Sequence, residues 1–268
     1  MKYSTVLLLL AGLSFSALQA QDTLQISQDT LRKPWVSAHQ FTATNNGVSI
    51  VPAFSLGRPA YVWVGKMGNE KWTLEPEIRT SYDLEPWSAV VWARYAHQTA
   101  SGWRYQGGMH YALIFRAVEE EVDGLTLRTY SATRNVGTQF TAFKSLGNGY
   151  GVSAFALAAK GVYKGAPESL VQLHSIMLVT PKVSVGKIEI GLTPQVYYLN
   201  VFGPQGVFYA GYYNISKQGS PWAITGLFTQ PFWKEESLVV APVVWNIGLT
   251  YSMKNTHEKI VPLLNSSL

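Results

Sequence analysis

Six of the eight arginines, Arg79, Arg94, Arg104, Arg116, Arg128 and Arg134, fall between residues 79 and 134, and none follows Arg134. Glu75 and Glu77 stand four and two residues ahead of Arg79, a spacing that puts all three on one face of a strand. Carboxylates and guanidiniums on one wall of an enclosed, low-dielectric space have two uses. They can bias that space toward anionic or zwitterionic solutes, or pair with each other and hold it shut. Histidine offers less. His97 lies close in sequence to Thr99 and Ser101, a nucleophile–base set only if a third group orients the imidazole. No G-x-S-x-G accompanies it. His110 reads as a hydrogen-bonding residue on the polar face of its strand. With no cysteine and no histidine pair at ligand spacing, no metal is expected. No G-x-G-x-x-G opens a helix, and no cofactor is expected. Glu119, Glu120, Glu121 and Asp123 form the densest acidic run and read as a solvated hairpin turn.

These residues sit in segments that alternate with period two. From Trp72 to Leu84 the odd positions are Thr73, Glu75, Glu77, Arg79, Ser81 and Asp83, against Leu74, Pro76, Ile78, Thr80, Tyr82 and Leu84. Trp103 to Val118 sets Trp103, Tyr105, Met109, Tyr111, Leu113 and Phe115 against Arg104, Gln106, His110 and Arg116. Lys187 to Tyr198 opposes Lys187, Glu189, Thr193 and Gln195 to Ile188, Ile190, Leu192, Val196 and Tyr198. A last strand, Val239 to Met253, has Trp245, Ile247, Leu249 and Tyr251 on one face and Asn246, Gly248, Thr250 and Ser252 on the other. The residues before 66 and around 125–146 alternate poorly, and Arg94, Arg128 and Arg134 lie in strands of weaker pattern. The candidate lining is therefore Glu75, Glu77, Arg79, Arg94, Arg104, His110, Arg116, Lys187, Glu189 and Gln195.

Strands of soluble domains average about 5–6 residues. These runs are roughly twice that, enough for the ~9–11 residues of a tilted strand in a bilayer. Aromatic residues mark their ends, as with Trp72/Tyr82, Trp87/Tyr95, Trp103/Phe115 and Trp245/Tyr251, the placement of an interfacial girdle. Charged residues make up 14% of the chain and aromatics 13%, a balance that excludes a disordered chain and does not suit a cytosolic enzyme. The longest apolar run after residue 20 is Leu238–Trp245, broken by Pro242, far short of the ~18 residues of a spanning helix. Turn signals recur evenly from Asn45-Asn46-Gly47 to Lys234-Glu235-Glu236-Ser237. They divide the chain into twelve to fourteen strands, and the even-number rule favours twelve, then fourteen.

The first residues supply a charged Lys2, the apolar run Val6–Leu13 and the small-residue site Ala17-Leu18-Gln19-Ala20, the pattern of a secretory signal. The organisation expected is a signal peptide over 1–20, a polar leader over 21–35, an antiparallel transmembrane β-barrel over 36–254 and a tail over 255–268. The formal net charge of +5 comes from dispersed residues and does not point to nucleic acid.

The chain in this respect resembles the outer-membrane β-barrel proteins of Gram-negative bacteria, porin-like members included. Its segment WNIGLTYSM is similar to their aromatic-rich closing strand, although 14 residues follow Lys254. The resemblance implies residence in the outer membrane and both termini in the periplasm. Its implied partners are lipid, lipopolysaccharide, barrel assembly machinery and small solutes, and its commonest activity is a passive channel. A non-enzymatic, porin-like channel with an Arg/Glu-lined lumen is the leading expectation. A non-transport barrel (structural, assembly-related or a rim hydrolase) and a secreted β-sandwich that binds glycans remain the alternatives. A lumen packed shut by Arg–Glu pairs favours the non-transport barrel.

Overall fold

A computed structural model of the 268-residue chain describes residues 36–49, 55–122 and 125–254. The expected signal peptide, leader and tail lie outside the described residues, as does Asp123. The strands are β1 (Val36–Thr44), β2 (Ala60–Gly68), β3 (Trp72–Ser81), β4 (Pro86–Gln98), β5 (Trp103–Val122), β6 (Leu125–Gly147) and β7 (Tyr150–Gly161). There follow β8 (Val171–Val179), β9 (Val183–Val185), β10 (Ile188–Val201), β11 (Gln205–Lys217), β12 (Trp222–Lys234) and β13 (Val244–Lys254).

Each strand pairs antiparallel with its neighbour in sequence, except that β10 takes both β8 and β9. β13 returns to β1, with His39 opposite Met253 and Ala43 opposite Leu249. The result is a closed barrel of twelve strands with one short extra strand. β9 continues β8 along the same edge of β10. Met177 faces Gln195, whereas Val183 faces Ile190, so the register slips by one residue across Thr180–Lys182. Pro181 has no N–H to give to a ladder, and bulges are where strands accept such residues.

The two rims differ. At the rim holding both ends of the described strands, connections are tight: 69–71, 99–102, 148–149, 186–187 and 218–221. At the other rim lie the longer segments 162–170 and 235–243, the connection from Thr44 to Ala60, and the β5–β6 hairpin. We call these the turn end and the loop end. β4 pairs with β5 only as far as Ile114, and β7 with β6 only from Asn135. Residues 115–122 and 125–134 therefore form a two-stranded ribbon, standing about 25 Å beyond the barrel at ~3.3 Å per residue. Here lies the reason for weak alternation around 125–134: both faces of the ribbon are in solvent.

Alternation elsewhere sorts side chains by face. The outside presents Ile78, Val91, Met109, Val136, Ile176, Leu192, Val196, Ile224, Ile247 and Leu249, all exposed. A continuous apolar jacket of this kind is what a lipid-facing barrel needs. Cross-strand aromatic pairs anchor its turn end, with Trp72 against Tyr95 at 4.8 Å and Trp222 against Tyr251 at 4.7 Å. Two expectations change. Trp87 is not part of a girdle but points inward and is 2% exposed, because the β4 register shifts at its start, between Arg79 and Thr80 of its partner. The last strand begins at Val244, not Val239; Pro242 cannot pair, and Leu238 and Val240 instead pack on the core from the loop end.

A closed barrel resists detergent in a way that an open sheet does not. Unheated protein is expected to run ahead of the boiled sample on SDS gels and to need detergent for extraction; equal mobility and detergent-free solubility would refute the closed, lipid-jacketed barrel.

Candidate functional site

The barrel interior has two halves. Toward the loop end Trp87, Val90, Ile114, Leu157, Leu173, Tyr197, Leu199, Phe208 and Leu227 form an apolar core, capped by Val48 and Leu238. Tyr197 stacks on Phe208 at 5.0 Å, and its hydroxyl meets Thr229 Oγ1 at 2.8 Å. On the wall made by β2–β6 the interior is charged.

Glu75 is the hub of that wall. Its carboxylate takes a hydrogen bond from Arg94 Nη1, lies 3.2 Å from the Lys66 ammonium and accepts from Thr73 Oγ1 at 2.9 Å. Lys66, Glu75 and Arg94 are 1%, 3% and 3% exposed. Arg94 Nη2 donates to Gln139 Oε1 at 3.2 Å, and Gln139 Nε2 to Gln106 Oε1 at 3.4 Å. The Arg94 guanidinium also lies 4.3 Å over the Trp92 ring, where a cation–π contact offsets part of its desolvation. One residue pair further in, Glu77 accepts from Arg79 Nε, and Arg79 sits 5.1 Å over Trp87.

Two glycines make this packing possible. A Cβ on Gly137 would stand 2.4 Å from His110 Cε1, and one on Gly108 would stand 2.8 Å from Arg94 Cγ. His110 thus lies in a slot over Gly137, 4.2 Å from the Trp92 ring. Charge does not balance within the cluster. Glu77 matches Arg79, and Glu70 gives Arg104 an opposite charge. Lys66 and Arg94, however, share the single carboxylate of Glu75, so the cluster holds one more basic group than acidic ones. Arg79 Nη1, Arg94 Nε, Arg116 Nε and Trp92 Nε1 are buried donors without an acceptor.

Of the residues expected to line the lumen, Glu75, Glu77, Arg79, Arg94 and His110 come together on this wall. Arg104 carries the inward parity of β5 near the turn end and is half-buried, whereas Arg116, of the same parity, lies past Ile114 at the base of the ribbon. Gln195 is inward and buried but on the opposite wall, on β10. Lys187 does not line the lumen: it is exposed in the 186–187 turn. Glu189 lies at the same rim, paired with Lys182 at 3.2 Å. Both carry the right parity but stand at the turn-end rim, Lys187 in the turn itself and Glu189 half-buried between Ser184 and Ser216 of the neighbouring strands. Lys66 and Gln139 were missed because β2 and β6 alternate weakly, and parity from an adjacent strand was the signal available. Arg134 is outward and exposed, as is His97, while the Thr99 and Ser101 hydroxyls bond each other at 2.9 Å to close the turn.

A second cluster stands at the loop end. Glu85 accepts from Arg58 and from Arg128, whose Nη1 and Nη2 lie 2.8 and 3.1 Å away, and Tyr130 also hydrogen-bonds it. These contacts tie the β5–β6 ribbon to the connection before β2. The Arg58 hydrogen bond, against partial desolvation and with help from Tyr130 and Arg128, holds the Glu85 carboxyl below its usual 4.5.

No protein-family model matches this sequence, and no curated protein sequence matches it. Solved structures of similar fold include the β domain of the Bordetella autotransporter BrkA, at 9% identity, covering 83% of this chain and 100% of that one with a TM-score of 0.44. A loop-deletion form of OmpT, an outer membrane protein of Vibrio cholerae, is 8% identical over 82% of this chain and 98% of that one, TM-score 0.37. An anion-selective porin from Comamonas acidovorans is 9% identical over 82% and 99%, TM-score 0.33. The closed twelve-stranded antiparallel barrel itself is established by this chain's own strand pairing.

Removing one partner of a buried ion pair strands the other. Glu75→Gln leaves Lys66 and Arg94 facing each other and is expected to cost about 3–5 kcal/mol in urea unfolding from detergent micelles; a loss under about 1 kcal/mol would show that the hub is solvated. At the loop end the sign follows from a carboxyl held low. The Glu85 tie is complete above pH 4.5 and is lost as pH falls through its lowered value. Spin labels at Ser55 and Thr126 should give a narrow distance distribution at pH 7 that broadens once pH falls below the lowered value, and Glu85→Gln should broaden it throughout.

Proposed function

We propose that this chain is an outer-membrane barrel that is sealed at rest and is not an open diffusion pore. The observation that carries the reading is the filling of the lumen. Trp92, Tyr197, Phe208, Leu173 and Leu199, which point inward from β4, β8, β10 and β11, are each 0–1% exposed. A solute crossing that apolar layer would shed its water without replacement hydrogen bonds, at a cost of several kcal/mol per polar group. The charged wall below it is engaged in its own ion pairs. The barrel's working surfaces on this reading are its lipid-facing jacket and its loop end.

A second reading, a narrow conduit for small anionic solutes, is favoured by the excess of basic over acidic groups around Glu75 and by the buried donors of Arg79 and Arg94 that lack an acceptor. An anion reaching Arg79 Nη1 and Arg94 Nε would satisfy them. Bilayer recordings separate the two. Refolded protein in planar bilayers is expected to give no stepwise conductance. Small anion-selective steps that change with Arg94→Gln would establish the conduit instead, and large unselective steps would refute both readings.

A further inference from the structure

The lipid-facing jacket is not uniform. Two adjacent rows of cross-strand neighbours run round the outside from β12 to β3. The first is Trp222, Tyr251, Phe41, Trp63 and Ile78, each opposite the next. The second is Leu249, Ala43, Tyr61 and Thr80. Large side chains stand on the first row, while Ala43 and Thr80 keep the second low. Between them lies a furrow of about 750 Å³, within the ~300–1,000 Å³ of ligand sites.

Its direction follows from the register. Trp222 and Tyr251 stand near the turn end of their strands, whereas Tyr61 and Thr80 stand near the loop end of theirs. Strands of a barrel tilt about 35–45° from its axis, so the furrow climbs obliquely through the bilayer. It crosses five strands, about 19 Å at ~4.8 Å per strand, longer than one leaflet's share of a ~30 Å hydrocarbon core. At its upper end Tyr61 packs on Tyr82 at 5.7 Å, and the Tyr82 N–H bonds the Pro59 carbonyl at 2.9 Å. Arg58 comes next in the chain, three residues and about 10 Å from Tyr61.

Arg58 and Arg128 share one carboxylate, that of Glu85, and their side chains are 41% and 50% exposed. Each guanidinium has five donors, and Glu85 occupies one of Arg58's nitrogens and two of Arg128's. Glu119 lies across the ladder from Arg128 without forming an ion pair with it. The remaining donors suit a phosphate, which arginine holds with two parallel bonds.

We propose that this furrow and the Arg58/Arg128 pair together form a seat for one lipid A moiety of lipopolysaccharide, acyl chains along the furrow and a phosphate on the arginines. Bilayer lipid is what meets an outward furrow in a lipid jacket, and the site joins an acyl-sized trough to an anion clamp at one leaflet's surface. The assignment deepens the sealed-barrel reading by giving the outside a specific ligand. It does not need the lumen to be closed, so conductance tests that reading separately.

The test is native mass spectrometry of detergent-solubilised full-length barrel titrated with purified lipid A, dephosphorylated lipid A or phosphatidylglycerol. One lipid A is expected to be retained, with about tenfold weaker binding of the dephosphorylated form and of phosphatidylglycerol. Ala43→Trp, which fills the trough from the lipid side, and the double variant Arg58→Gln/Arg128→Gln should each weaken lipid A binding by about tenfold. Heat-dependent gel mobility confirms that each variant is folded. Equal retention of all three lipids, or binding indifferent to both variants in folded protein, would overturn the proposal.

Discussion

A strand in hydrocarbon has no water to satisfy its N–H and C=O groups, so its ladder must be complete on both sides. In this chain that condition is met by one contact above the others, the return of β13 to β1. Without it, two strands of an otherwise paired sheet would present open edges to lipid. Closure fixes the even strand count, brings both ends of the barrel to one rim, and gives every strand an inside and an outside. It also allows the inversion of the usual globular order, with apolar groups facing outward and charges inward. The bilayer does on the outside what a second layer of structure does for a soluble sheet.

The inward charges are then confined. Glu75 holds Lys66 and Arg94 because all three are carried at matching heights on consecutive strands, and Gly108 and Gly137 are the relief that lets long side chains cross the lumen there. Such clusters rarely add net stability over an apolar filling, and toward the loop end this barrel uses an apolar filling instead. The interior therefore joins two solutions. A polar wall on β2–β6 carries the buried charge, and an aromatic–aliphatic layer beside its upper part dehydrates the path near the loop end.

How much of this the sequence discloses varies by strand. β3 and the barrel part of β5 are readable outright, because each has one face in lipid and one in a polar lumen, and Glu75, Glu77, Arg79 and His110 are buried on the face that alternation assigns them. β4 is harder. Val90 and Trp92 face the core while Val91 faces lipid, so both faces are apolar and hydropathy cannot tell Arg94's direction; pairing with β3 decides it. Lys66 hides for a similar reason, behind the inward Val62 and Val64. Lys187 shows the opposite failure, since parity says nothing about whether a residue lies within the barrel or past its rim. The furrow was not legible, because it depends on which outward residues become neighbours across β12, β13, β1, β2 and β3, and the chain joins β13 to β1 only in three dimensions.

That seam explains why the outside merits the same reading as the lumen. Outward side chains of a barrel are usually treated as solvent for lipid, interchangeable as long as they are apolar. Along the seam they are not interchangeable: five large side chains in one row and two small ones in the next create relief that a uniform jacket lacks. Relief on a lipid-facing surface distinguishes one lipid from another, as a pocket distinguishes solutes, because a chain lying in a trough contacts protein on several sides. With an apolar layer across the lumen, shape and charge available to a ligand are concentrated on this outer face and at the loop end above it.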